Sequence, residues 1–194
     1  MINQNWIYLG ALIFFLGSVT YFVETIQGKV KPNRVTWFVW ILAPSIIFFS
    51  QIKQGVGLEA LLSFMAGLIP LIIFIASFVN KESYWKIEKN DVICGMLSII
   101  GLILWQITKV GNIAIIFSII SDLFACFPTL AKSYNRPETE NYWLYLGNGI
   151  FALITLLTIK NWNFETYSFP VYLFTLSIIF TLIIKFKIKK TFNL

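Results

Sequence analysis

Long apolar blocks separated by short polar connections constrain this chain more than any other feature. Seven can be read, at residues 6–26, 35–52, 58–79, 92–108, 112–132, 142–159 and 168–186. Each approaches the ~20 residues that an α-helix needs to cross ~30 Å of hydrocarbon. A spanning β-barrel would instead show ~10-residue segments of alternating polarity. Composition agrees, because 58% of residues are hydrophobic and only 12% are charged, against roughly 25% charged in a soluble domain. Such a chain cannot cover its core with polar surface, so the blocks predict an all-α membrane protein of seven transmembrane helices. The first block lacks a basic flank and a small-residue cleavage site, and it reads as a span rather than a signal peptide.

The net charge of +6 raises the question of nucleic acid, and its distribution answers it. With seven spans, one side receives Lys29, Lys31, Arg34, Lys81, Lys86, Lys89, Lys132, Arg136, Lys185, Lys187, Lys189 and Lys190, and the other only Lys53, Lys109 and Lys160. Twelve against three is a positive-inside bias that predicts an outside N-terminus and a cytoplasmic C-terminus. The basic residues orient the chain and meet anionic headgroups. Trp6, Trp105 and Trp162 fall near the outer span ends, and Trp37, Trp40, Trp85 and Trp143 near the inner ones, as an interfacial belt would place them. Cys94 and Cys126 fall on the inner halves of their spans, where a disulfide is not expected. With no His in the chain, a Cys/His metal site is excluded.

The chain also resembles itself. Thr25-Ile26, Lys31-Pro32-Asn33, Thr36-Trp37, Ile52-Lys53-Gln54, Glu59 and Ser63-Phe64 recur in order as Thr129-Leu130, Arg136-Pro137-Glu138, Tyr142-Trp143, Ile159-Lys160-Asn161, Glu165 and Ser168-Phe169. The offsets run from 104 to 107. The pattern predicts a first three-helix repeat at 1–80, a linker helix at 81–110, and a second repeat with a basic tail at 111–194. One intervening span makes the repeats parallel, related by an axis along the membrane normal. Secondary transporters use this arrangement, with the site between the repeats near the midplane.

The run Phe127-Pro128-Thr129-Leu130-Ala131-Lys132-Ser133-Tyr134, with Pro137 to Trp143 and then Gly147-Asn148, resembles a PQ-loop segment. The layout of three, one and three helices resembles the SWEET sugar transporters, and bacterial nicotinamide riboside transporters share it. Thr129 stands where the family has Gln, and Glu24-Thr25 stands in place of the first Pro-Gln pair. The resemblance implies the bundle fold and a carrier function, and it leaves the cargo open.

Asp122 is the one ionisable residue near the middle of any block, in Ser118-Ile119-Ile120-Ser121-Asp122. A charge there costs ~2.5–3.5 kcal/mol on insertion scales, so intramembrane acids generally mark pathways. Asp122 is expected either to carry a proton or to face an aqueous cavity, with Ser118 and Ser121 beside it. The plainer alternative is an acid that ties two helices together. Asn148, between Gly147 and Gly149, serves equally as a pathway group or as interhelical glue. Glu24 is a candidate gate residue, although pairing with Lys29 or Lys31 explains it as well. Pro44, Pro70 and Pro128 each remove a helical hydrogen bond and offer hinges. Trp37, Trp40 and Trp143 offer faces for a ring-shaped solute, beside their simpler role in the belt.

No Walker A motif, nucleophile elbow or paired intramembrane carboxylate occurs. Catalysis is therefore not expected, nor is any cofactor. The expectation is a secondary transporter or facilitator of a small polar solute in a bacterial-type inner membrane, with proton or cation coupling through Asp122 as an option. The expected partners are the lipid bilayer and that solute, with no nucleic acid, and a homo-oligomer is left open. The alternatives are a non-transporting receptor, scaffold or assembly module, and an ion channel.

Overall fold

The structure, a computed structural model, describes residues 2–108 and 111–188, without the side chains of 101, 102 and 104–108. Lys109, Lys189, Lys190 and the side chain of Trp105, used in the charge and belt arguments, lie outside the described residues. Within them the chain is all-helical: α1 (Trp6–Ile26), α2 (Arg34–Lys53), α3 (Ala60–Ala76), α4 (Lys89–Thr108), α5 (Gly111–Asn135), α6 (Tyr142–Thr158) and α7 (Phe164–Phe186). Single 3-10 turns at Lys81–Ser83 and Pro137–Thr139 precede α4 and α6. Helices α1, α2, α5 and α7 are long and apolar enough to cross a membrane, whereas α3 and α6 are apolar but 17 residues long.

Local chemistry accounts for the helix ends. Asn33 caps α2 by accepting from the backbone N–H of Val35 at 3.1 Å and Thr36 at 3.4 Å, and Asn141 caps α6 by accepting from Trp143 N–H at 2.8 Å. After α1 the chain turns at Gly28, with φ +77°, the left-handed region that glycine enters without strain. A Cβ there would also meet Glu82 Cβ at 2.7 Å. Inside the helices several hydroxyls bond back one turn, as Ser18 does to Phe14 O and Thr155 to Phe151 O. No polar group of these residues is left bare in an apolar surrounding. Helix α7 begins four residues before its apolar block, adding a polar first turn with Glu165, and runs on through Pro170.

Helix α1 packs on α6 and α3, α2 on α3 and α5, α5 on α7 and α4, and α6 on α7. The two halves of the chain therefore share one core. The α1–α6 seam depends on small residues: a Cβ on Gly17 would stand 2.5 Å from Trp143 O, and one on Gly147 3.1 Å from Ile13 O. Close backbone approach of this kind is how helices associate where no water drives them together. Gly17→Ala is expected to push α1 off α6 and cost about 1–3 kcal/mol, read as a lowered thermal midpoint in detergent. Gly57→Ala, whose Cβ would meet only a carboxylate oxygen at 3.4 Å, should leave the midpoint unchanged, and equal effects would refute the seam argument.

Contacts distant in sequence define the two ends of the bundle. At one end Lys31 N–H donates to Thr139 O at 3.1 Å, and Asn80 reaches Ile26 O at 2.9 Å. This is the basic end, with Lys31, Arg34, Lys132 and Arg136. At the other, Gln4 Nε2 donates to Glu59 Oε1 at 2.9 Å, and Gln51 Nε2 to Glu165 O at 2.8 Å while accepting from Ser63 Oγ at 2.6 Å. Between the ends, large apolar side chains such as Leu12, Phe15, Leu16, Phe49, Ile75, Met96, Phe127, Leu157 and Ile179 are exposed on the outside. So apolar an exterior is that of a protein solvated by lipid.

Candidate functional site

The centre of the bundle holds a cavity lined by residues from α1 (Phe14), α2 (Trp37, Trp40, Pro44), α3 (Ala66, Ile69, Pro70), α5 (Asp122), α6 (Leu144, Tyr145, Asn148) and α7 (Leu173, Leu176, Ser177, Phe180). Six helices contribute, and α4 is absent from the described lining. Water centres have about 50 Å³ to occupy there. That is room for roughly three to five waters at ~10–15 Å³ each.

The polar groups of the cavity are few. Asp122 is 2% exposed, and its Oδ2 accepts from the hydroxyl of Tyr172 at 2.6 Å, joining α5 to α7. The Trp40 indole lies close to the same carboxylate without reaching hydrogen-bond geometry. Asn148 Nδ2 donates to Ser177 Oγ at 3.2 Å. Gly147 fits α6 against α1 and Gly149 fits it against α7, which turns Asn148 inward between them. Among the described residues, the indole N–H groups of Trp37 and Trp40 and the Oδ1 of Asn148 are buried without a hydrogen-bond partner. Each such group costs about 1–3 kcal/mol of lost solvation, and all three belong to residues that line the cavity, the Trp37 indole lying toward Tyr21 and the Trp40 indole toward Asp122.

Aromatic rings form much of the wall. Trp37 and Trp40 meet edge-on at 5.3 Å, Trp40 meets Phe180 edge-on at 6.2 Å, and Tyr145 stacks on Phe180 at 4.4 Å.

Behind Tyr145, toward the basic end, lies a second polar group that the sequence reading passed over. Lys132 and Glu140 form an ion pair with both side chains almost fully buried. Lys132 Nζ also donates to the carbonyl of Lys31, and the hydroxyls of Tyr21 and Tyr145 donate to Glu140 Oε2 at 2.9 and 3.0 Å. Next to it, Asn141 Nδ2 donates to Glu24 Oε2 at 2.6 Å. This knot ties α1, the α1–α2 connection, α5 and the start of α6 together. Lys132, counted by sequence among the headgroup-level charges, is buried.

Of the residues singled out from the sequence, Asp122, Asn148, Trp37, Trp40, Pro44 and Pro70 come together around the cavity. Five do not. Ser118 is buried with an unpaired hydroxyl, and Ser121 donates to Phe117 O while its own carbonyl accepts from Ser98, fixing α4 to α5. Pro128 is buried in α5 one turn before Lys132. Glu24 bonds Asn141 at the basic end rather than a lysine. Trp143 is half exposed and leans on Tyr142. It sits two residues after the capping Asn141, whereas Trp37 sits four after Asn33. The residue four after Asn141 is Tyr145, and Tyr145 takes the inward place. Tyr172, Tyr145 and Ser177 were missed because aromatic and hydroxyl side chains are common throughout these blocks, and only phase relative to the caps distinguishes them.

Fold and site together define a helical integral membrane protein with a small, mostly apolar cavity at its centre that holds a few polar groups. No protein-family profile, no characterised protein and no solved structure matches the chain.

Proposed function

We propose that this protein is a secondary transporter or facilitator that moves a small polar solute through the central cavity by alternating access. In this reading it has seven transmembrane helices, an outside N-terminus and a cytoplasmic C-terminus, and sits in a bacterial-type inner membrane. Helices α1–α3 and α5–α7 are parallel repeats joined by α4, in the PQ-loop and SWEET-like layout. The observation that carries it is the cavity, which draws on all six repeat helices and holds the unpaired polar groups. The packing supports the repeats as well. Exchanging α1 with α5, α2 with α6 and α3 with α7 turns the α1–α6 contact into α5–α2, α2–α3 into α6–α7, and α1–α3 into α5–α7, and all of these are made. A site on such an axis is open to rocking of one repeat against the other.

The Asp122–Tyr172 bond favours a second reading, a non-transporting scaffold in which the acid merely ties α5 to α7. Labelling separates the two. In a chain with Cys94→Ala and Cys126→Ala, Ser177→Cys is treated with a small charged methanethiosulfonate reagent in vesicles of each orientation. A carrier is expected to be labelled from both sides. A scaffold would be labelled from neither, and that result would end the transport proposal.

A further inference from the structure

We infer that the solute is a small organic ammonium ion carrying a hydroxyl, an amino alcohol in chemical class, bound with its ammonium at Asp122 and its hydroxyl between the Trp40 indole and Asn148. The inference rests on the transport reading and adds the chemistry of the cargo. It begins with charge. Asp122 is the one ionisable carboxyl or amine among the described residues lining the cavity. The nearest buried cation, Lys132, is held by Glu140, so it does not balance Asp122. A carboxylate enclosed without a counter-charge is costly, and a cationic solute would supply one. An ionised Asp122 would repel an anion.

The wall chemistry agrees. Faces and edges of Trp37, Trp40, Tyr145 and Phe180 surround the space, and aromatic enclosures attract ammonium groups through the ring quadrupole. The unpaired groups then specify the other end of the solute. The Trp40 indole N–H, beside Asp122, lacks an acceptor in hydrogen-bond geometry, and Asn148 Oδ1 lacks a donor. A hydroxyl is both at once. Size sets the scale, since room for roughly three to five waters fits a solute of about as many heavy atoms, one for each water displaced. Ethanolamine has this charge, this hydroxyl and this size.

Calorimetry on the purified full-length protein at matched ionic strength tests the inference with three two-carbon probes: ethanolamine as the cation, ethylene glycol as the neutral counterpart and glycolate as the anion. Ethanolamine is expected to bind and the other two to bind at least about tenfold more weakly, as loss of a charge-assisted bond implies. Asp122→Asn should weaken ethanolamine about 10- to 100-fold and leave ethylene glycol unaffected. If that variant does not fold, the Trp40 pair decides. Trp40→Phe keeps a ring and should bind more tightly than Trp40→Leu, which loses about 2- to 30-fold. Equal binding of ethanolamine and ethylene glycol, binding of neither, or equal loss in Trp40→Phe and Trp40→Leu would overturn the ammonium assignment. None of those results touches the transport reading, which falls only if Ser177→Cys is labelled from neither side.

Discussion

Glu140→Gln is expected to destabilise the protein by about 3–5 kcal/mol, the usual cost of removing one partner from a buried ion pair. The reason lies in what the substitution leaves behind. Lys132 would keep its charge in an enclosed place with only the Lys31 carbonyl to meet it. The hydroxyls of Tyr21 and Tyr145 would share a weaker amide acceptor in place of a carboxylate. The cost is therefore that of an orphaned cation more than of a lost attraction. Lys132→Met combined with Glu140→Gln removes the charge together with its partner, and it should recover more than half of the loss. Unfolding in mixed micelles with increasing SDS measures both variants. A single variant within about 1 kcal/mol of the parent would mean that Lys132 reaches water and that the knot is superficial.

The same pair shows where sequence reasoning stops. The helices were legible because a helix in lipid satisfies its own backbone and must be long and apolar. The described helices begin and end within a few residues of the blocks that predicted them. Asp122 and Asn148 were legible because a polar residue inside an apolar block has to face something other than lipid. Lys132 and Glu140 stand at block ends, where charges ordinarily meet headgroups, and nothing local distinguishes them from Arg136 and Glu138, which stay exposed. Their burial comes from the 3-10 turn at Pro137–Thr139, which folds Glu140 back onto α5. That is a property of the connection, and apolar patterning does not encode it. Trp143 fails for a related reason: two residues' difference in distance from a capping asparagine amounts to about 200° around a helix of 3.6 residues per turn. Aligning Trp37 with Trp143 by residue type therefore puts the second indole on the wrong face, and the cap register puts Tyr145 on the right one.

If the basic end is one gate of a carrier, joining Lys31 to Thr139 should close it. Their backbones are already hydrogen-bonded at 3.1 Å, close enough for cysteines at these positions to reach disulfide geometry. The connection that carries Lys31 also receives the Lys132 ammonium, and Thr139 immediately precedes Glu140. An opening that parts these two residues must therefore also break either the Lys132 contact to the Lys31 carbonyl or the Lys132–Glu140 ion pair. A disulfide contributes about 2–4 kcal/mol to the state that it fits, enough to lower the open population at least about tenfold. The experiment uses Lys31→Cys and Thr139→Cys with Ser177→Cys in the chain lacking Cys94 and Cys126. Oxidation should cut labelling at position 177 from the basic side at least about tenfold and leave labelling from the opposite side intact, and reduction before labelling should reverse the effect. Unchanged labelling from the basic side after complete cross-linking would show that the path avoids the Lys132–Glu140 knot. The ion pair would then be a fixed brace, and the route from the cavity to that side would have to run elsewhere.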